Sequence, residues 1–279
     1  MRPPSKADIM ATEMRCIYCA APPATVEHMP PISMFRARDR PYGLMFAGCN
    51  ACNNGTGAAD LVASFIARLS PRYDQGAWKI AEAKARRGAL EAHAPGFLDE
   101  FFDPDRRTEE WVPTAGGISR RMVAVNLNGP LTRAYLDVFA AKLGMGLYRH
   151  HCGRPLPLDG FVMSGAYANA GLARDTARIF LSILPGRSGL RQGPRKNADD
   201  QFIYHYNTDG RSVLIALAQF HDGLYVSAGA FGTADPYGQL PMPPNHRRVR
   251  PGDLPGMMPF RSRTWDMQRG LLIRRPMKP

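Results

Sequence analysis

Two short cysteine pairs constrain this chain more than any other feature. Cys16 and Cys19 flank two residues in CIYC, and Cys49 and Cys52 flank two in CNAC. A C-x2-C pair forms a tight knuckle that turns both sulfurs the same way. Two knuckles supply the four thiolates that tetrahedral zinc favours. Both pairs fall within residues 16–52, while the fifth cysteine, Cys152, stands far downstream. An odd count with this spacing is not a disulfide framework. We assign the four to one structural Zn²⁺, closed to other ligands, that holds the fold and does no chemistry. A unit this small needs such a staple. A reducing, cytoplasmic setting follows as the expectation.

Periodicity organises the rest. Leu61, Val62, Phe65, Ile66 and Leu69 recur at helical spacing, and Ser70-Pro71 ends the run. Residues 77–92 are Ala-rich, with Glu82 and Arg86 four apart, and read as a solvated helix. Residues 95–117 carry Pro, Gly and acidic clusters and read as a connection. Arg120–Gly129 alternates as a strand. Leu131, Ala134, Tyr135, Val138, Ala141 and Met145 then make one helical face. Ala177–Pro185 reads as a buried strand. Gln201–Gly229 reads as a three-stranded meander with turns at Asn207–Arg211 and His221–Gly223. The expected class is α+β. A zinc-containing domain covers 1–72 and a helical connection 73–117. An α+β domain with an antiparallel meander covers 118–230, and a basic, Pro/Gly-rich irregular tail covers 231–279.

The chain carries 36 Lys/Arg against 24 Asp/Glu, a formal net charge of +12. That balance calls for an anionic partner, nucleic acid before a membrane surface. Arg outnumbers Lys 30 to 6, so part of the excess reflects coding composition. The segment His246–Pro279 holds nine Lys/Arg against Asp253 and Asp266. Pro, Gly and Met interrupt it, so it reads as an extended arm and not a basic helix. No apolar run reaches the roughly 20 residues of a membrane span. MRPPSKADIM lacks the apolar core of a signal peptide. No P-loop, dinucleotide fingerprint or nucleophile elbow is present.

Between the cysteine pairs lies ATVEHMPP, with Glu27 and His28 adjacent and Pro30-Pro31 behind them; Cys52 is followed directly by Asn53. A Cys pair, an acid–His pair near Pro, and a second Cys pair ending in Cys-Asn together resemble the HNH (ββα-metal) endonuclease family, in its zinc-ribbon form. The resemblance covers about residues 15–70. It implies a two-stranded hairpin packed on a helix and clamped by zinc. Ala24–His28 and Gly43–Gly48 would be the strands, with the helix starting near Asn53. It also implies DNA as substrate, double-stranded, and a catalytic Mg²⁺ or Mn²⁺. Glu27 and Asn53 would be that ion's ligands and His28 the general base. Asp60, seven residues after Asn53, shares its helical face and is a candidate support for the metal or His28, the alternative being a solvent-facing aspartate. Such hydrolysis needs a base for water and a cation on the phosphate. His28 suits the first and oxygen donors suit the second. Successive strand residues point to opposite faces, so Glu27 and His28 converge only where the strand ends.

Two positions depart from the family's pattern. YGLMFAG lacks a middle Asn, and Thr56 stands where Lys or His is usual. Arg36, Arg38 and Arg40 in the hairpin loop, with Arg247, Arg248 and Arg250 in the tail, are the candidate nucleic-acid contacts. A role in phage defence, restriction or mobile-element biology follows from the family alone. The alternative is a catalytically decayed zinc-ribbon module that binds nucleic acid or protein. The C-terminal part is the candidate surface for a protein partner. KLGMGLYRHHCGRPLP and the later meander resemble a region that follows the HNH-like part in some uncharacterised bacterial proteins. His150 and His151, being adjacent, splay apart and do not suit one metal ion. Gly189–Asn197 is a basic, Gly-containing loop able to meet phosphate.

Overall fold

A computed structural model describes residues 4–69, 77–113, 119–125, 127–168, 179, 181–192 and 196–260. Ser5 opens helix α1 (Lys6–Thr12) in a reciprocal capping box with Asp8. After the first cysteine knuckle, β1 (Thr25–His28) and β2 (Met45–Gly48) pair antiparallel, with Glu27 opposite Phe46 and His28 opposite Met45. The second knuckle leads through a short turn, Asn54–Thr56, into α2 (Gly57–Ile66). The order hairpin then helix is the one expected. Of the expected apolar stripe, Val62, Phe65 and Ile66 are buried and Leu61 partly so, whereas Leu69 lies past the end of α2 and is exposed; Phe65 meets Phe97 and Phe101 edge-on. The stop expected at Ser70-Pro71 lies outside the described residues.

Helix α3 (Ala77–His93) is the solvated helix that its composition predicts, with an Arg86–Glu82 ion pair of 3.1 Å. The stretch read as a connection is more ordered than its Pro and Gly suggest. It contains α4 (Phe97–Phe101) and β3 (Arg107–Pro113), which forms a hairpin with β4 (Ser119–Val125).

Helix α5 (Pro130–Cys152) is the spine of the molecule. Pro130 starts it, and the Glu100 carboxylate accepts from the free N–H groups of Leu131 (2.9 Å) and Thr132 (2.7 Å). At 23 residues it runs about 34 Å. One side packs on a six-stranded antiparallel sheet and another on the β1–β2 hairpin. The sheet order is β12-β5-β11-β10-β9-β6. Its members are β5 (Phe161–Ala168), β6 (Gly186–Gly189), β9 (Phe202–Thr208), β10 (Val213–Phe220), β11 (Leu224–Phe231) and β12 (His246–Val249). The short pair β7 (Arg191–Gln192) and β8 (Lys196–Asn197) lies apart. The meander and both its turns fall as expected.

Two glycines show how tightly α5 is held. A Cβ on Gly144 would lie 2.6 Å from Val162 of the sheet, and one on Gly146 would lie 3.3 Å from Phe46 of the hairpin. The helix is therefore buried nearly all round and not on the single face that its Leu131–Met145 pattern suggests. One continuous core joins Tyr18, Phe46 and Val62 to Phe139, Phe202 and Phe220.

Two expectations are corrected. Of Ala177–Pro185, read as a buried strand, residues 179 and 181–183 are helical, and Ile179, Leu181 and Ile183 are exposed. Residues 177, 178 and 180 lie outside the described residues. A short apolar run cannot distinguish strand from helix by periodicity. The tail is also not irregular throughout, because β12 closes one edge of the sheet against β5. His246 fastens it there, with Nε2 2.8 Å from the Ser227 hydroxyl and Nδ1 3.0 Å from the Pro244 carbonyl. Residues 261–279 of the tail lie outside the described residues.

The turn at His221–Gly223 seats the end of α2. A Cβ on Gly223 would lie 2.4 to 2.6 Å from the carbonyl oxygens of Leu69, Ala67 and Ile66. Gly223→Ala should therefore cost about 1–3 kcal/mol, read as a lower urea midpoint at unchanged slope. An unchanged midpoint would show that this seat yields freely.

Candidate metal centre and acid–histidine site

The four cysteine sulfurs lie within 4.8 Å of one another, and no other group of three or more potential ligands does so among the described residues. Cys19 and Cys49 Sγ are 3.6 Å apart. Four thiolates on a tetrahedral zinc at about 2.3 Å stand about 3.8 Å from each other, so the spacing suits that ion. The knuckles arise locally. The N–H groups of Tyr18 and Ala21 point at Cys16 Sγ (3.3 Å) and Cys19 Sγ (3.4 Å), and that of Cys52 at Cys49 Sγ (3.4 Å). These donors stabilise thiolate charge. The cluster can hold a structural metal such as zinc.

Behind it, the hairpin brings the expected acid and amide together. A Cβ on Gly48 would lie 3.6 Å from the Cβ atoms of both Glu27 and Asn53, so these residues flank one glycine. The Glu27 carboxylate and the Asn53 amide N–H groups are, however, otherwise engaged. Asn53 donates its amide N–H groups to Thr25 Oγ1 (2.9 Å) and the Val26 carbonyl (3.1 Å), tying the helix start to β1. Glu27 turns inward, and Lys142 of α5 meets it. Lys142 Nζ is 3.4 Å from Glu27 Oε2 and 2.6 Å from Asp60 Oδ2. The lysine side chain is 0 % exposed, Glu27 3 % and Asp60 11 %. The Tyr18 ring lies 5.9 Å from Nζ. Among the described residues Glu27 Oε2, Asp60 Oδ1 and the Tyr18 hydroxyl accept or donate no hydrogen bond, so Lys142 meets Glu27 as an ion pair only.

Burial sets the electrostatics. It pushes the Glu27 carboxyl up to about 7, with Lys142 opposing and Asp60 adding to the rise. Burial also raises Asp60 against the pull of Lys142. For Lys142, burial works to discharge the ammonium, but Asp60 and Glu27 outweigh it and its pKa rises. His28 is half-buried, and burial followed by the nearby Arg40 guanidinium lowers its pKa. The imidazole is thus neutral at neutral pH. It stands on the opposite side of the strand from Glu27, as strand alternation dictates.

A phosphate-bridging Mg²⁺ or Mn²⁺ does not fit these residues. The Glu27 carboxylate is sealed from solvent and shares its space with an ammonium, and hard cations need open positions for water and phosphate. Asp60 belongs to the same sealed cluster.

A consequence is testable by pH. Glu27 has a folded pKa near 7 against an ordinary 4.5. Its contribution to stability is therefore fully present below about pH 4.5 and is lost as pH rises through 7. With zinc held constant, Glu27→Gln should flatten the fall in melting temperature between about pH 5.5 and 8. Parallel curves for the two proteins would remove the assignment.

The expected arginines divide into two kinds. The Arg40 guanidinium donates to the carbonyls of Pro30 (2.7 Å), Pro41 (3.0 Å) and Gly43 (2.7 Å), so it is a loop clamp with little left for phosphate. Arg248 donates to Gly238 (2.7 Å) and lies 4.7 Å from the Phe161 ring centroid. Arg247 reaches Asp137 at 3.8 Å. Arg36 reaches Asp200 at 3.8 Å and stays half exposed, and Arg38 and Arg250 are exposed.

Lys142 is the central residue that sequence reasoning missed. Its signal was the one charge in AAKLGMGL, on a helix read as having a free face. The Arg149–Glu13 ion pair, which joins α5 to the N-terminal segment, was missed for the same reason. Among the described residues no helix is long and apolar enough to cross a membrane. No family model, curated protein or solved structure matches this chain.

Proposed function

We propose that the chain is a nucleic-acid-binding protein built on a zinc-stapled hairpin-and-helix, with the family's acid position withdrawn into the core. The observation that carries this reading is the sealed Lys142–Glu27–Asp60 cluster, which takes the place of an open cation site. The net charge of +12 supports an anionic partner. So do the exposed Arg38, Arg187 and Arg250, whose guanidinium groups have no carboxylate at ion-pair distance among the described residues. Contacts of this kind are sequence-independent and salt-sensitive. The test is fluorescence anisotropy of zinc-loaded protein with single- and double-stranded oligonucleotides at several salt concentrations. The expected result is binding near 50 mM salt or below, weakening about linearly in log salt. No binding to either form at low salt would end this reading.

A second reading, a metal-dependent HNH endonuclease acting on DNA, rests on Glu27 and Asn53 flanking Gly48 with His28 next in sequence. It requires the cluster to open when substrate binds. Incubation of supercoiled plasmid with Mg²⁺ or Mn²⁺ separates the two. The binding reading expects no nicking above background from either wild type or His28→Ala. Nicking that needs both the metal and His28 would transfer the conclusion to the nuclease.

A further inference from the structure

A second polar site lies where the hairpin loop meets the far edge of the sheet. A cleft of about 320 Å³ is bounded by Tyr42 of the loop, His150 at the last turn of α5, and Arg187, Ser188 and Arg191 of the sheet edge, with Tyr204 at its base. The volume is at the small end of the range for ligand cavities, about 300–1,000 Å³. The basic loop singled out in the sequence, Gly189–Asn197, begins in this wall.

The lining is built and not incidental. His150 is exposed, but its ring stands edge-on to His151 at 4.9 Å. His151 is itself held by the Tyr204 hydroxyl (3.1 Å) and lies against the Tyr206 ring (4.0 Å). His150 is therefore a positioned ring. It offers a ring face and a hydrogen bond to the cleft. Gly43 has φ +117°, where only glycine is at ease, and a Cβ there would press on Leu190 at 3.2 Å; this brings the loop down onto the wall. The Arg191 guanidinium is fixed and neutralised by Asp199. Arg187 is exposed and has no carboxylate at ion-pair distance among the described residues; Asp199, paired directly with Arg191, feels its charge more weakly, and Arg187 is the less neutralised cation of the cleft. Arg36, tied to Asp200 beside that pair, extends the basic rim toward Arg38.

An exposed arginine outside any direct ion pair, beside a fixed ring and a tyrosine, is the chemistry that holds a nucleotide: phosphate on the guanidinium, base on the ring. A base within a duplex is stacked and paired and cannot enter a cleft of this size, whereas an unpaired one can. We propose that this cleft takes one nucleotide of a single-stranded nucleic acid, with its phosphate on Arg187 and its base against His150 and Tyr42. The proposal rests on the nucleic-acid reading above and adds to it the strand form and the place.

The test measures anisotropy of a labelled single-stranded oligonucleotide with the full zinc-loaded chain. It compares wild type, Arg187→Gln, His150→Ala and a control, Arg87→Gln, on α3. All three substituted residues are exposed, and zinc content and melting serve as checks of folding. The expected result is a loss of about fivefold or more for each cleft variant and none for the control. Arg187→Gln should also lower the salt slope by about 0.7, one phosphate contact on a single strand. Wild-type affinity in both cleft variants would overturn the cleft while leaving nucleic-acid binding intact. Binding to duplex alone would overturn it too. Absence of any binding would remove both readings together.

Discussion

Cys49→Ser should abolish metal binding by the four-cysteine cluster and take the cooperative melt of the whole chain with it. Cys49 follows β2 directly and, with Cys52, joins the hairpin to the start of α2. Without the fourth thiolate, the knuckles no longer share an ion. The hairpin of four-residue strands is then too short to stand alone. Structural zinc in small domains contributes about 10–16 kcal/mol of binding free energy, which is folding free energy there. Phe46 and Met29 pack against α5 at Gly146, so disorder in the hairpin uncovers the spine helix as well. Metal analysis and a thermal melt on the same sample decide the matter. A variant that has lost its zinc yet melts like wild type would falsify the structural role.

Lys142→Met should be the most damaging substitution outside the cysteines, and its damage should depend on pH. The change leaves Glu27 and Asp60 buried together with no cation between them. Removing one partner of a buried pair costs about 3–5 kcal/mol. For a domain of this size that lowers melting by roughly 6–20 °C. The two carboxyls would relieve the strain by taking up protons, so their raised pKa values should rise further. Groups raised in this way stabilise the fold at low pH and lose that contribution as pH climbs. The deficit should therefore be larger at pH 8 than at pH 5.5. Adding Glu27→Gln and Asp60→Asn should restore most of the loss by removing the charges that Lys142 had balanced. A single variant that melts within about 2 °C of wild type at pH 8 would mean that the cluster is dispensable.

Much of this architecture is legible in the residues, for reasons that can be named. The two C-x2-C pairs carry their geometry locally, so the four-sulfur cluster follows from spacing alone. The meander from Gln201 to Gly229 is legible because strand alternation and turn formers coincide there. What stays hidden depends on contacts between distant segments. The pattern of α5 shows one apolar face, while Gly144 and Gly146 serve two different neighbours. Sequence gives no sign that Lys142 crosses 82 positions to reach Asp60. The inward turn of Glu27 follows from that partner and not from anything in VEH. The tail's basic residues mask β12, because His246 finds its partner across the sheet at Ser227 and Arg248 finds one in the turn at Gly238.

The placement of α5 has a consequence for how such a chain can be altered over evolutionary time. Its flanks are a common wall, with Val162 pressed on one side and Phe46 on the other. A recombination event that imported a different hairpin-and-helix would meet a surface shaped for this one, including an ammonium waiting for two particular carboxylates. The N-terminal and C-terminal parts should thus be inherited as a pair. Substitutions at Glu27, Asp60 and Lys142 should be exchanged together or not at all.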